Sequence, residues 1–362
     1  MQRRNFLLSA TALSITSMST NLARAQVGCV PDAPVAGIDV VKEIRALRIP
    51  TGPYAGGYEI APNGLLNWYF INLGLLPIVQ FLSAADLDLL IKGYLDLYLR
   101  SLTPIDTIDD VYFPVGRVNP SSFVKVPSDS DDAYAATFVS LVVRYVRASQ
   151  NWAWWEINKA RIKSVAYRNL ALTAKATGLT SVFQAPRSQT NSIGYLMDNC
   201  EGYRGLVDLA SLLRDCGESV DANYFNLLAS NAASGMRSQS FNVAGAAFTP
   251  SDAHPLPLAN FYPGTTCQIY AQAFGVSELA AQFDAGWTYL NKTTPGWEDG
   301  HWDPYPWAIL GTVAAMRGQL ALARTQQASI EKKFVSSRAV VTINELGFYQ
   351  RTKSILAGNP AV

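Results

Sequence analysis

The chain has 362 residues, 49% of them hydrophobic and 16% charged, with a formal net charge of +1. That composition supplies apolar material for one large core or two fused ones. A near-zero charge without basic runs argues against nucleic acid as a partner.

Residues 1–25 have the form of an export signal. Arg3-Arg4-Asn5-Phe6-Leu7 is a basic head carrying a twin arginine, and the stretch from Leu7 to Met18 is apolar and rich in Ser and Thr. Ala23-Arg24-Ala25 then fits the small-x-small rule of signal peptidase. The expected organisation is therefore a signal over 1–25 and one domain over 26–362, exported to a bacterial periplasm or secreted. Gln26-Val27-Gly28-Cys29 has a polar residue where a lipoprotein signal wants leucine, which argues against a lipid anchor. The longest apolar segment after the signal, Leu65 to Leu82, is interrupted by Asn67, Asn72, Pro77 and Gln80 and weakened by Gly74. It reads as a buried helix, so no integral membrane segment is expected in the mature chain.

From Val40 onward the pattern is helical, broken by short Gly, Pro, Asn and Ser stretches, with almost no strand alternation. The candidate helices are Val40 to Leu47, Leu65 to Leu73, Ala84 to Leu102, Ala133 to Ser149, Trp152 to Thr177 and Ile193 to Leu213. Six more follow: Asp221 to Met236, Cys267 to Phe274, Ser277 to Leu290, Pro306 to Gly318, Leu320 to Phe334 and Val341 to Leu356. Gln150-Asn151 and Gly217-Glu218 leave room only for a return to an antiparallel neighbour, so helical hairpins are the expected unit. Long connections alternate with the tight ones: Thr103 to Ser130, Gly178 to Ser192, Arg237 to Thr266 and Lys292 to Tyr305. Each long connection precedes a helix start, so these loops would meet at one end of a ring. The fold class expected is all-α, an (α/α)6 toroid of about twelve helices in hairpins, with a solenoid of helical pairs as the alternative.

Cys200 and Cys216 lie on or just past one predicted helix, about 24 Å apart at 1.5 Å per residue, too far to pair. Cys29 and Cys267 complete the four cysteines, in a compartment that permits disulfides. With His254 and His301 the only histidines and no Cys-x-x-Cys, neither a metal site nor a cofactor is expected.

Four loops carry residues suited to chemistry. The first is the acidic turn Ser128-Asp129-Ser130-Asp131-Asp132-Ala133-Tyr134, at the start of a predicted helix. The second runs from Gly194 to Gly205 and holds Asp198, Glu201, Tyr203 and Arg204. The third, Pro295 to Trp307, interleaves Trp297, Trp302, Tyr305 and Trp307 with Glu298, Asp299, Asp303 and His301. The fourth, Gly56 to Tyr69, contains Glu59 and Trp68. Glycoside chemistry needs one carboxyl kept protonated as general acid and another ionised as base or nucleophile. It also needs flat apolar faces for sugar C–H groups, which Trp and Tyr provide. The local alternative is that the acids cap helices: Asp129, Asp131 and Asp132 ahead of Ala133, and Asp303 ahead of Pro304.

Asp129, Asp131, Ala133, Tyr134 and Ala135 resemble the Asp-x-Asp-x-Ala-Tyr-Ala element that opens an inner helix in (α/α)6 glycoside hydrolases of the endoglucanase and chitosanase type. The resemblance implies that Asp131 grips and helps distort the sugar beside the scissile bond. That family's acid sits in a Ser-Glu-Gly-x-x-Tyr-Gly motif, of which Gly57-Tyr58-Glu59 keeps only a remnant. Met197-Asp198-Asn199 is similar to the Asp-Asn pair that opens a helix in unsaturated glucuronyl hydrolases of the same six-hairpin class, which implies Asp198 as the acid.

Asp129-x-Asp131-Asp132 also matches the general-acid motif of class II terpene cyclases, a reading that the export signal weighs against. The expectation is thus an exported glycoside hydrolase acting on a poly- or oligosaccharide. Its catalytic candidates are Asp198, Asp131, Asp132 and Asp303. Its sugar-binding candidates are Asp129, Tyr134, Glu201, Tyr203, Arg204, Trp68, Trp297, His301 and Trp302. The rivals are a polysaccharide lyase, which two histidines and no clustered arginines disfavour, and a glycan-binding or assembly protein that keeps the toroid without catalysis.

Overall fold

A computed structural model describes residues 37–115, 122–185 and 192–360, and its main compact unit begins at Asp39. The expected signal and Cys29 lie outside the described residues. Twelve helices follow one another: α1 (Val40–Leu47), α2 (Trp68–Leu75), α3 (84–101), α4 (Asp132–Ser149), α5 (Trp152–Ala166) and α6 (Leu196–Asp215). The second half supplies α7 (Ser219–Gln239), α8 (Tyr270–Ala273), α9 (Phe283–Thr293), α10 (Ala308–Met316), α11 (Leu320–Ser336) and α12 (Ile343–Leu356). A π-helical turn over Leu87–Lys92 lies inside α3, and a 3-10 turn over Thr266–Ile269 leads into α8.

The even-numbered helices form an inner ring in which each packs on the next and α12 packs back on α2. The odd-numbered helices lie outside, and α1 is the outer partner of α12. This is the (α/α)6 toroid, all-α as expected. Burial explains which helix goes where: eight consecutive residues of α10, Ala308 to Ala315, are buried, whereas α7 buries only a stripe through Ala222, Phe225, Ala229, Ala232, Ala233 and Met236. A helix apolar all round belongs inside, and one with a stripe at spacings of three and four lies against it. The tight returns are built as anticipated. Gln150 adopts a left-handed conformation at the end of α4, and the Asn151 side chain caps α5 by accepting from the Trp154 N–H. Gly217 makes the equivalent turn between α6 and α7 with φ of +78°.

Two short hairpins are the only sheets among the described residues: β1 (Asp109–Tyr112) pairs antiparallel with β2 (Val124–Pro127), and β3 (Phe241–Asn242) with β4 (Ala247–Phe248). β1 is also bridged to Leu66, whose N–H donates to the Val111 carbonyl at 2.8 Å while the Val111 N–H returns the bond at 3.0 Å. Helix starts differ from the sequence pattern by a few residues for local reasons. α6 begins at Leu196 because Tyr195 is extended and bridged to Ser251, and α10 begins at Ala308 because Trp307 has φ of +54°. Cys200, Cys216 and Cys267 are free thiols. No described helix is long and apolar enough to cross a membrane.

The ring closes through glycine. A Cβ added to Gly347 on α12 would sit 2.3 Å from the Gly74 carbonyl oxygen on α2, and one added to Gly205 on α6 would sit 2.6 Å from the Ala136 carbonyl oxygen on α4. Contacts that short force backbones apart, and overpacking of this kind costs about 1–3 kcal/mol or more. We therefore expect Gly347→Ala to lower the midpoint of urea unfolding by an amount equivalent to at least about 1 kcal/mol; an unchanged midpoint would show that the ring seam is loosely packed.

Candidate active site

Inner helices separated by single antiparallel outer helices all point the same way, so their N-terminal ends gather at one end of the toroid. There the long connections converge, and the backbone N–H groups of six helix starts favour acidic side chains. Between the starts of α2 and α4 lies a residue that the sequence pattern passed over, Asp110 on β1. The Leu66–Val111 bridge holds it against the start of α2. Its Oδ1 accepts from the Trp68 N–H at 3.2 Å, and its Oδ2 accepts from Asn67 Nδ2 at 2.6 Å and from the Tyr134 hydroxyl at 2.8 Å. Asn67 Nδ2 also donates to the Tyr134 oxygen at 2.7 Å, so the three side chains form a triangle between β1, α2 and α4.

Only 6% of Asp110 is exposed. Burial pushes its carboxyl up to about 8, and the charge of Asp129 adds to the rise. The bonds from Tyr134, the Trp68 N–H and Asn67 pull the other way and are outweighed. Asp129 itself is only partly buried. Two carboxyl groups in unlike environments, one holding its proton at neutral pH, are the arrangement that acid–base chemistry uses.

The network continues across the mouth. Tyr69 stacks on Tyr134 with ring centroids 5.7 Å apart, and its hydroxyl donates to Glu201 Oε1 at 2.6 Å. Glu201 of α6 is thereby joined to α2 and α4. The starts of α4 and α6 are tied by Thr180, whose hydroxyl donates to Asp132 Oδ2 at 3.0 Å and whose N–H donates to Asn199 Oδ1 at 2.8 Å. On the far side of the mouth, Glu345 in the first turn of α12 accepts from the Ala308 N–H at the start of α10. Glu59, fully buried, lies in the loop whose Ile60 carbonyl accepts from the Ile343 N–H at the start of α12.

The fold is a six-hairpin toroid. Its likeness among solved structures includes a rhamnosidase from Klebsiella oxytoca with rhamnose bound, with a TM-score of 0.60 and 10% sequence identity over 90% of this chain. The match spans 66% of the rhamnosidase chain. No family model matches the sequence, and no curated protein does.

Within the toroid the sequence candidates divide. Asp129, Asp131, Asp132, Tyr134, Asp198 and Glu201 stand at the starts of α4 and α6, at the mouth. Asp131 Oδ2 accepts from the Gln184 N–H at 3.0 Å. Asp132 is fully buried and accepts from Ser130 and from the Ala133 N–H as well as from Thr180, so its carboxylate serves the helix start and a loop. Asp198 is buried in the first turn of α6.

Tyr203 and Arg204, sugar-binding candidates from the sequence, stand further along α6. The Tyr203 hydroxyl donates to Glu278 at 2.8 Å, and Arg204 pairs with Asp208 deeper in the ring, about 9 Å along α6 from Asp198 at 1.5 Å per residue.

Two tryptophans expected as platforms have no face to offer. Trp68 is 0% exposed, packed edge-on to Tyr98, and Trp297 is 1% exposed, packed edge-on to Trp287 of α9. Their density in the sequence reflects packing between layers. Trp302 differs: it is 40% exposed, stacked on Phe261 with centroids 6.4 Å apart, and His301 lies beside it. Asp303 accepts from the Tyr305 N–H at 2.9 Å, shaping the loop before α10. Lys333 of α11 clamps the same loop by donating to the carbonyls of Gly300, Asp303 and Pro304.

Asp110 makes a test with a definite sign. Its folded value is raised, so the fold favours the protonated form. The two states differ least below the unfolded value near 3.9, and stability is lost as pH rises from there towards about 8. Relative to Asp110→Asn, the wild type should lose up to about 1.4 kcal/mol per pH unit between pH 5 and 8 in urea unfolding. A difference that stays flat or grows with pH would mean that the folded protein holds Asp110 ionised.

Proposed function

We propose that this chain is an exported glycoside hydrolase acting on a poly- or oligosaccharide, with Asp110 as the general acid. The observation that carries the reading is the buried, proton-retaining Asp110 carboxyl beside the partly exposed Asp129 at the N-terminal mouth of the toroid. The likeness to a rhamnosidase with rhamnose bound adds that this fold occurs in a protein that binds a sugar. The twin-arginine head and the Ala23-Arg24-Ala25 cleavage sequence support export.

In this mechanism Asp110 gives its proton to the leaving glycosidic oxygen while Asp129 serves as base or nucleophile. Tyr134 and Asn67 hold the acid in place through their bonds to Oδ2. Asp131, Asp198 and Glu201 line the mouth as partners for sugar hydroxyls, and the Trp302–Phe261 pair supplies an exposed flat face at the rim. Asp198, which the sequence resemblance favours as acid, is the rival for the proton-donating role. The near-complete burial of the mouth acids favours one alternative, a toroid that binds glycan without cleaving it.

The mature protein should be incubated with a panel of bacterial and plant polysaccharides and the products weighed. Products that gain water establish hydrolysis, dehydrated products a lyase, and binding without products the alternative. Asp110→Asn should lower kcat by about 10²–10⁴ and abolish the fall in rate that the wild type shows as pH rises through about 8. If Asp110→Asn turns over normally and Asp198→Asn does not, the acid is Asp198.

A further inference from the structure

Deeper in the ring lies a feature that the mouth chemistry does not use. A cavity of about 200 Å³ lies on the barrel axis and takes lining from all six inner helices: Leu73, Arg144, Arg204, Gln272, Met316 and Arg351 are one from each. It lies deeper along the axis than the mouth carboxyls. Arg144 is twelve residues beyond Asp132 on α4, about 18 Å along the axis at 1.5 Å per residue. None of the mouth carboxyls lines it.

Its charge is unbalanced. Three arginines face it and Asp208 is the only acid among its lining residues. That aspartate is already engaged, by Arg204 through Oδ1 and by the Ser140 hydroxyl at 2.9 Å through Oδ2. Gln272 is taken as well, its Oε1 accepting from Arg317 at 2.8 Å. Arg144 and Arg351 are left without a carboxylate of their own among the lining residues. The Nε groups of Arg204 and Arg351 are buried and have no hydrogen-bond partner among the described residues.

The C-terminal turns of α4 and α12 lie beyond Arg144 and Arg351 and account for part of the positive charge. They do not account for the N–H donors, because a guanidinium carries five and needs oxygen acceptors in its plane. Nor do they remove the repulsion. Burial lowers Arg351 to about 10, with the charges of Arg144 and Arg204 adding to the fall, and it still carries its charge at neutral pH.

We propose that this cavity is a second ligand site, one that binds a small oxyanion, a carboxylate, phosphate or sulfate group, through Arg144, Arg204 and Arg351. Leu73, Met316 and Phe348 provide apolar walls beside the arginines. An oxyanion neutralises the surplus charge and accepts from donors that the protein leaves unanswered. The proposal stands apart from the glycosidase reading, since it uses no residue of the mouth.

The test uses the full chain, titrated with sodium sulfate, sodium phosphate and sodium galacturonate, with sodium chloride at matched ionic strength and neutral galactose as controls. Calorimetry should show saturable binding of at least one oxyanion, and that ion should raise Tm by a few degrees beyond chloride. Sulfate and phosphate alone would assign a free inorganic oxyanion, and galacturonate alone a sugar acid. Arg144→Met and Arg351→Met should each weaken binding tenfold or more while keeping Tm in anion-free buffer at or above the wild-type value, because each removes one of the crowded like charges. Asp110→Asn should bind the oxyanion as the wild type does, which separates this result from any failure at the mouth. The proposal is overturned if the wild type binds none of the three anions, or if the double variant Arg144→Met/Arg351→Met binds as well as the wild type.

Discussion

Six inner helices running in one direction are the constraint from which the rest of this structure follows. Each presents unsatisfied N–H groups at one end and unsatisfied carbonyls at the other, and the ring adds these ends together. The acids sort to the first end: Asp131 and Asp132 on α4, Asp198 and Glu201 on α6, and Glu345 on α12. Arg144, Arg204 and Arg351 stand further along the axis, around the cavity. A chain with almost no net charge thereby keeps these acids and these arginines at different depths along the axis.

Polarity alone does not make a reactive group; burial does. Asp131 and Asp132 share the helix start and are used by its loops, whereas Asp110 arrives from a two-stranded hairpin outside the ring and is pressed into the gap between α2 and α4. Three donors point at it, yet desolvation and the neighbouring Asp129 win, and the carboxyl keeps its proton into the neutral range. The same competition falls the other way for an exposed aspartate, which water solvates at no cost. The acidic turn therefore contributes less through its buried members than through Asp129, the member that stays partly in solvent.

The helices were legible in the sequence because their apolar periodicity is a local property. All twelve candidate segments are helical, and the tight returns at Gln150-Asn151 and Gly217-Glu218 correctly imply antiparallel pairs. The position of Asp110 was not legible. Its burial depends on Val111 pairing with Leu66 and on donors from Asn67 and Tyr134, and no window of the sequence contains these together. The one available hint was an Asp-Asp pair set inside Ile108-Asp109-Asp110-Val111-Tyr112-Phe113, where apolar neighbours flank two charges. Trp68 and Trp297 failed as platforms for the complementary reason: an aromatic beside an acid in sequence says nothing of whether its face meets solvent or another layer.

The hairpin that closes the ring is made from the two ends of the described chain. α1 packs on α12, and Arg338 just ahead of α12 pairs with Glu43, a separation of 295 in sequence. Loop closure over that span is entropically late, so five hairpins can assemble by near-neighbour contacts while the sixth waits for the whole chain. Until α12 seats its Gly347 against Gly74, the toroid is an open arc with the apolar sides of α2 and α10 uncovered. The glycine seam is thus the latch of a ring whose acidic mouth and arginine-lined cavity are complete only when it shuts.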